Sequence, residues 1–169
     1  VVAIEDVIDR IEAQVKANIA AEFTAEDARW ADGTTLRVPD STLGYFRHEP
    51  TETMLQTVPI VAVIARGTRS DPLLTKVEDD THEVDVVYFE TDTTRTTLDK
   101  RVFRATYALR RLARKFFNGG VVGAPRDWSG IIKTDIDRVE YLEPVVGREG
   151  ATAKGGLLRV LCRERVTGL

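Results

Sequence analysis

The sequence predicts an α/β (α+β) fold: a small mixed or antiparallel sheet of about four strands, flanked by an N-terminal helix and a long central helix. Three observations carry that reading. In Thr94–Phe117, TRTTLDKRVFRATYALRRLARKFF, the residues Leu98, Val102, Ala105, Leu109, Leu112 and Phe116 recur at steps of four and three, which is one helical stripe. Val58–Arg66, VPIVAVIAR, is a near-continuous apolar run of strand length. His82–Glu90 alternates with apolar residues on both faces: Val84, Val86 and Tyr88 on one, Val87 and Phe89 beside Asp85 on the other.

The remaining elements follow in chain order. Val2 to about Phe23 is a first helix, with Ile4, Val7, Ile8, Ile11, Val15, Ile19 and Phe23 on one face and acids crowding its first turns. A short second helical turn is expected over Thr24–Ala31, capped by Thr24 and stopped by Gly33. From Asp32 to Thr57 no period is sustained, and Gly33, Pro39, Gly44 and Pro50 interrupt the chain. That stretch is either an arm that orders on assembly or a loop packed by Leu36, Val38, Tyr45 and Phe46. Gly67–Asp80 is expected to turn around Asp71-Pro72.

The long helix, about 36 Å at 1.5 Å per residue, should stop at Asn118-Gly119-Gly120. Val121–Ser129 is then loop. Gly130–Tyr141 is a third strand, and the apolar phase shift between Ile136 and Val139 predicts a bulge. Glu143–Gly156, EPVVGREGATAKGG, is expected to be a flexible loop. Leu157–Val166 is the last strand, with Leu158, Val160, Cys162 and Val166 on one face and Arg159, Arg163 and Arg165 on the other. The expectation is a single domain over 1–169, with a loop or arm at 32–57 and a glycine-rich loop at 143–156.

Composition narrows the function classes. Hydrophobic residues at 43% and charged residues at 30% describe a globular chain. A net charge of −3 argues against a general nucleic-acid binder. The lone Cys162 makes no internal disulfide, which suits a reducing compartment. No apolar run approaches the ~18 residues of a membrane span, and the acidic start is unlike a signal peptide.

Catalytic chemistry finds little to use. His48 and His82 are isolated and read as surface or strand-edge residues rather than metal ligands. Glu78-Asp79-Asp80 reads as a solvated turn. Glu83-Val84-Asp85 lacks the lysine that a restriction-type nuclease strand needs. Gly119-Gly120-Val121-Val122-Gly123 closes a helix, where a phosphate loop must open one. Cys162 falls on a buried strand face and reads as a packed thiol. No cofactor is expected.

Charge is the stronger feature. The long helix carries Arg95, Lys100, Arg101, Arg104, Arg110, Arg111, Arg114 and Lys115 against the one acid Asp99. Three uses are open: phosphate contact, matching of acidic and basic faces between subunits, or a solvated face at the helix C-terminus. The acidic remainder of the chain favours self-association.

The order of elements resembles the tail terminator proteins of long-tailed bacteriophages, within the wider tail-completion and neck group. The residues that carry the resemblance are VPIVAVIAR, TLDKRVFRATYALRRLARKFF, and the late strands GIIKTDIDRVEYLEP and GLLRVLCRERV around a glycine-rich insert. The resemblance covers about Val58–Val166 and, beyond it, the first helix. It implies a non-enzymatic virion protein, assembled in the host cytoplasm, that forms a homo-oligomeric ring, a hexamer. The ring would sit on the tail tube protein, end polymerisation, meet the head-side connector in the neck, and lie near DNA in the lumen. No membrane is involved. The cations assigned to a subunit or partner contact are Arg104, Arg111, Arg114 and Lys115, then Arg148 and Lys154, then Arg159 and Arg163. Alternatives are another head–tail adaptor, or a nucleic-acid-binding module using the basic helix 94–117.

Overall fold

The structure, a computed structural model, describes residues 2–49, 51, 58–74, 77–117, 130–146 and 152–167. The elements in chain order are α1 (Ile4–Trp30), β1 (Tyr45–Phe46), β2 (Ile60–Leu74), β3 (Val77–Asp92), α2 (Arg95–Phe116), β4 (Ile131–Tyr141), β5 (Val145–Val146) and β6 (Thr152–Thr167). The sheet runs β1-β2-β3-β6-β4, with β5 also on β6. Among the described strand pairs only β1–β2 is parallel, so the sheet is mixed. The four long strands are the expected ones; β1 and β5 are two-residue additions.

Both helices cover the same sheet face. Val7, Ile11, Val15, Ile19 and Phe23 of α1 and Ala105, Leu109 and Leu112 of α2 join Val61, Val63, Val84, Val86, Tyr88, Leu158, Val160 and Cys162 in one core. The helical period and the strand period thus converge on a single apolar layer. The opposite sheet face carries a smaller cluster, Ala62, Ile64, Val87 and Leu157, with Phe46, Phe89 and Leu142 packed on it.

Several expectations are corrected. α1 runs unbroken through Trp30, with Phe23 and Glu26 buried on its continued face, and Thr24 lies inside it with Oγ1 donating to the Ala20 carbonyl at 2.9 Å instead of capping a new helix. The helix ends at Ala31, which adopts φ 46°. Asp71-Pro72 does not turn: Asp71 pairs with Asp79 and Pro72 with Glu78, in a long β2–β3 ladder. Proline is tolerated there because β1 reaches only Val61 and Ala62, leaving the far half of β2 an edge. Glu78-Asp79-Asp80 accordingly lies in β3, and Asp79 binds Arg165 Nε at 2.8 Å.

The end of the glycine-rich stretch is strand, since β6 starts at Thr152. Gly156 packs against Thr106 of α2, where any Cβ would overlap the hydroxyl. His82 is neither a surface nor an edge residue. It is buried between Thr68 Oγ1 at 2.8 Å and Glu164 Oε2 at 3.3 Å, and Glu164 also accepts the Val2 N–H.

The β4 irregularity falls between Ile136 and Arg138, within the stretch where the phase shift lies. Cys162 is fully buried, as its alternation implies. In the segment after α1, Leu36 is in the core and Tyr45 packs on it, while Val38 is exposed. The expected helix stop at Asn118-Gly119-Gly120, the loop Val121–Ser129 and Arg148 lie outside the described residues.

Candidate subunit interface

α2 stands on the sheet through Leu98, Val102, Ala105, Leu109 and Leu112, which leaves its two flanks with different neighbours. One flank meets α1. Arg104 forks onto Asp32 with bonds of 2.9 and 2.6 Å, and Lys100 reaches the same carboxylate at 3.2 Å. Hydrogen bonding from Arg104, helped by the Thr34 N–H, holds the Asp32 carboxyl well below the usual carboxylate range. Arg111 binds Glu22 at 3.4 Å and also Glu26, and Lys115 binds Glu22. Arg104, Arg111 and Lys115 therefore stitch α2 to α1 and the turn after it.

The other flank follows the stripe Phe103, Tyr107, Arg110 and Arg114, set at steps of four, three and four beside β4. Its first half is aromatic and continues across the outer side of α2 to Trp30 at the end of α1. Trp30, Phe103, Tyr107 and Tyr141 are 53%, 41%, 43% and 49% exposed and surround a hollow of about 340 Å³. Phe103 meets Tyr141 edge-on at 4.5 Å between ring centroids. Cations lie over the rings: Arg104 over Trp30 at 4.7 Å, Arg111 over Tyr107 at 5.4 Å and Lys154 over Phe103 at 4.6 Å. The second half holds a polar hollow of about 300 Å³ between Arg110, Ala113, Arg114, Thr134, Asp135 and Ile136.

Exposed Trp30 and Tyr107 stacked by arginine, beside Phe103 under Lys154, match the composition of a protein-binding hot spot. Isolated exposed apolar residues need no explanation, but four aromatics around one hollow do. The guanidinium stacking reduces ring mobility, so less entropy is lost when a partner covers the patch.

The remaining candidate cations sit elsewhere. Lys154 binds Asp99 Oδ1 at 2.5 Å beside the aromatic patch. Arg159 and Arg66 hold Asp85 from either side on the sheet face away from the helices, at 2.7 and 2.6 Å. Burial pushes the Asp85 carboxyl up, but the two guanidiniums more than offset this and leave it below its ordinary value. Arg163 is exposed on that same face, and among the described residues it holds no carboxylate. The described candidates thus divide between the α1–α2 seam, the α2–β4 flank and the outer sheet face.

The aromatic patch was not among the residues singled out from sequence. A signal for it exists: Phe103 and Tyr107 are large aromatics four residues apart, off the apolar stripe of α2. Among the described residues no group of three potential metal ligands occurs. No helix is long and apolar enough to cross a membrane.

No family model and no curated protein matches this chain. A solved structure that is similar in part is the virion of a native gene transfer agent particle, at 12% identity over 91% of this chain and 95% of that chain, with a TM-score of 0.36. A score at that level carries no weight for the role of this chain.

Proposed function

We propose that this chain is a structural virion protein of the tail-terminator kind, which forms a closed ring of its own copies, a hexamer, at the head-proximal end of a tail tube. It performs no catalysis. The ring ends tube polymerisation, offers a surface to the head-side connector, and surrounds the path of the DNA. The order of elements supports the reading, since α1, the long β2–β3 pair, α2 and the late strands follow the pattern described from sequence.

The observation that carries it is the aromatic patch of Trp30, Phe103, Tyr107 and Tyr141. A ring requires a heterologous contact, in which one patch meets a different surface on the next copy. The patch crosses the outer side of α2 from Trp30 at the end of α1 to Tyr141 of β4, and in this reading it meets a different surface of the next copy. The exposed cation Arg163 and the Asp85 cluster, on the far sheet face, offer the opposing surface in this reading.

The nucleic-acid alternative is weakened by the ion pairs. Arg104, Arg111 and Lys115 each already hold a carboxylate, so the basic helix presents less free charge than its sequence suggests. Electron micrographs of the purified chain, scored for closed rings and their symmetry, test the proposal. Particles of one symmetry are expected; a protein that stays monomeric at high concentration, alone and with tail tubes, overturns it.

A further inference from the structure

The polar hollow at the C-terminal end of α2 differs from most of the helix in how its cations are held, although Arg95 in the first turn also binds no carboxylate among the described residues. Lys100, Arg101, Arg104, Arg111 and Lys115 each bind a carboxylate. Among the described residues, Arg110 and Arg114 bind none. Among the described residues, the Arg110 Nε–H is sealed from solvent and has no acceptor. A guanidinium N–H removed from water without a partner is unfavourable, and two like charges four residues apart repel. An anion in the hollow relieves the repulsion directly, and a small turn of the Arg110 side chain toward it would give the sealed N–H an acceptor.

We propose that the hollow between Arg110, Arg114 and Thr134 is an oxyanion site that takes a phosphate group. Two guanidinium groups present paired N–H donors suited to bidentate contact with phosphate oxygens. Among the described residues the Thr134 hydroxyl engages only Cys162 Sγ, at 3.9 Å, a weak acceptor it can exchange for a better one. Asp135 also lines the hollow, but its Oδ2 is held by Lys133 Nζ at 2.7 Å. The carbonyl end of α2 opposes an anion with only about half a charge, against two full positive charges. A volume of about 300 Å³ admits a phosphate with the first atoms of its carrier. One carboxylate would satisfy a single guanidinium fork, whereas a tetrahedral oxyanion has oxygens for both.

The test is calorimetry and thermal melting of the full chain with inorganic phosphate, against chloride at matched ionic strength. Saturable binding is expected, weakened about tenfold or more in R110Q and in R114Q, and unchanged in R69Q on the remote β2–β3 pair. Arg114 is exposed, so R114Q keeps the test valid should R110Q fold poorly. A second arm adds a short oligothymidylate. Displacement of phosphate assigns the site to a nucleic-acid backbone, and no displacement assigns it to a free phosphate; both outcomes support an oxyanion site. Absence of saturable phosphate binding overturns it, as does binding unchanged in both variants. Loss of ring assembly in R114Q without any phosphate binding also overturns it, and assigns the pair to a carboxylate of a neighbouring copy.

Discussion

Gly156 of β6 faces Thr106 of α2 with no room for a side chain between them. Thr106 is fully buried and its hydroxyl donates to the Val102 carbonyl at 2.6 Å, so it has nowhere to withdraw. The spacing of α2 from β6 at this point therefore depends on one missing Cβ. Gly156→Ala should destabilise the fold by about 2 kcal/mol through overpacking. Thermal or urea unfolding measures this, and the double change with Thr106→Ala, which removes the overlapping hydroxyl, should recover part of the loss.

Acid stability should depend on Asp85. Its folded pKa is depressed, so the stability it contributes is present above the unfolded value of about 4 and is lost as pH falls through the lower folded value. Asp85→Asn should cost roughly 2 kcal/mol at neutral pH, because Arg66 and Arg159 lose their common negative charge and one of its two accepting oxygens. It should also flatten the stability profile below about pH 4 relative to the parent chain. Urea midpoints at pH 7, 5 and 3 report both effects.

Cys162 should be inert in the folded protein. Burial pushes its thiol up to about 12, and the sulfur is fully enclosed. At pH 8 the thiolate fraction is then on the order of one in ten thousand. A disulfide reagent should give no reaction in buffer and one equivalent in denaturant; rapid labelling of the native chain contradicts the packing described.

The aromatic patch separates assembly from folding. Tyr107→Ala and Phe103→Ala remove half-exposed rings, so the isolated subunit should lose no more than about 1 kcal/mol. Ring formation should fall sharply, as expected when hot-spot aromatics are truncated. Light scattering at increasing concentration, paired with melting curves, distinguishes the two effects.

The seam between the helices gives a further check. Glu26 is almost wholly buried and binds Arg111 and the Trp30 Nε1–H, the latter at 2.7 Å. Glu26→Ala should cost about 2–3 kcal/mol, because a guanidinium and an indole N–H lose their acceptor together. Glu26→Gln, which keeps an acceptor, should cost less. Equal losses in the two variants count against the pairing.

The helical stripe of α2, the alternation of β6 and the bulge in β4 were all legible, because each depends on residues within a few positions of one another. The errors share a different cause. Pro72 reads as a turn unless the far half of β2 is known to be an edge, and Gly156 reads as loop unless Thr106 is known to lie against it. His82 looks like a strand-edge residue until Glu164, 82 residues away, is brought beside it.

Periodicity and composition alone determined the fold class, the core faces and the concentration of positive charge on one helix. Only the tertiary structure decided which of those charges remain unmatched and which aromatics stay uncovered. Hydrophobic period is a local property, whereas an ion pair such as Arg111–Glu22 joins residues 89 positions apart. Its existence depends on the angle and distance at which two helices pack, and no spacing along the chain encodes that directly.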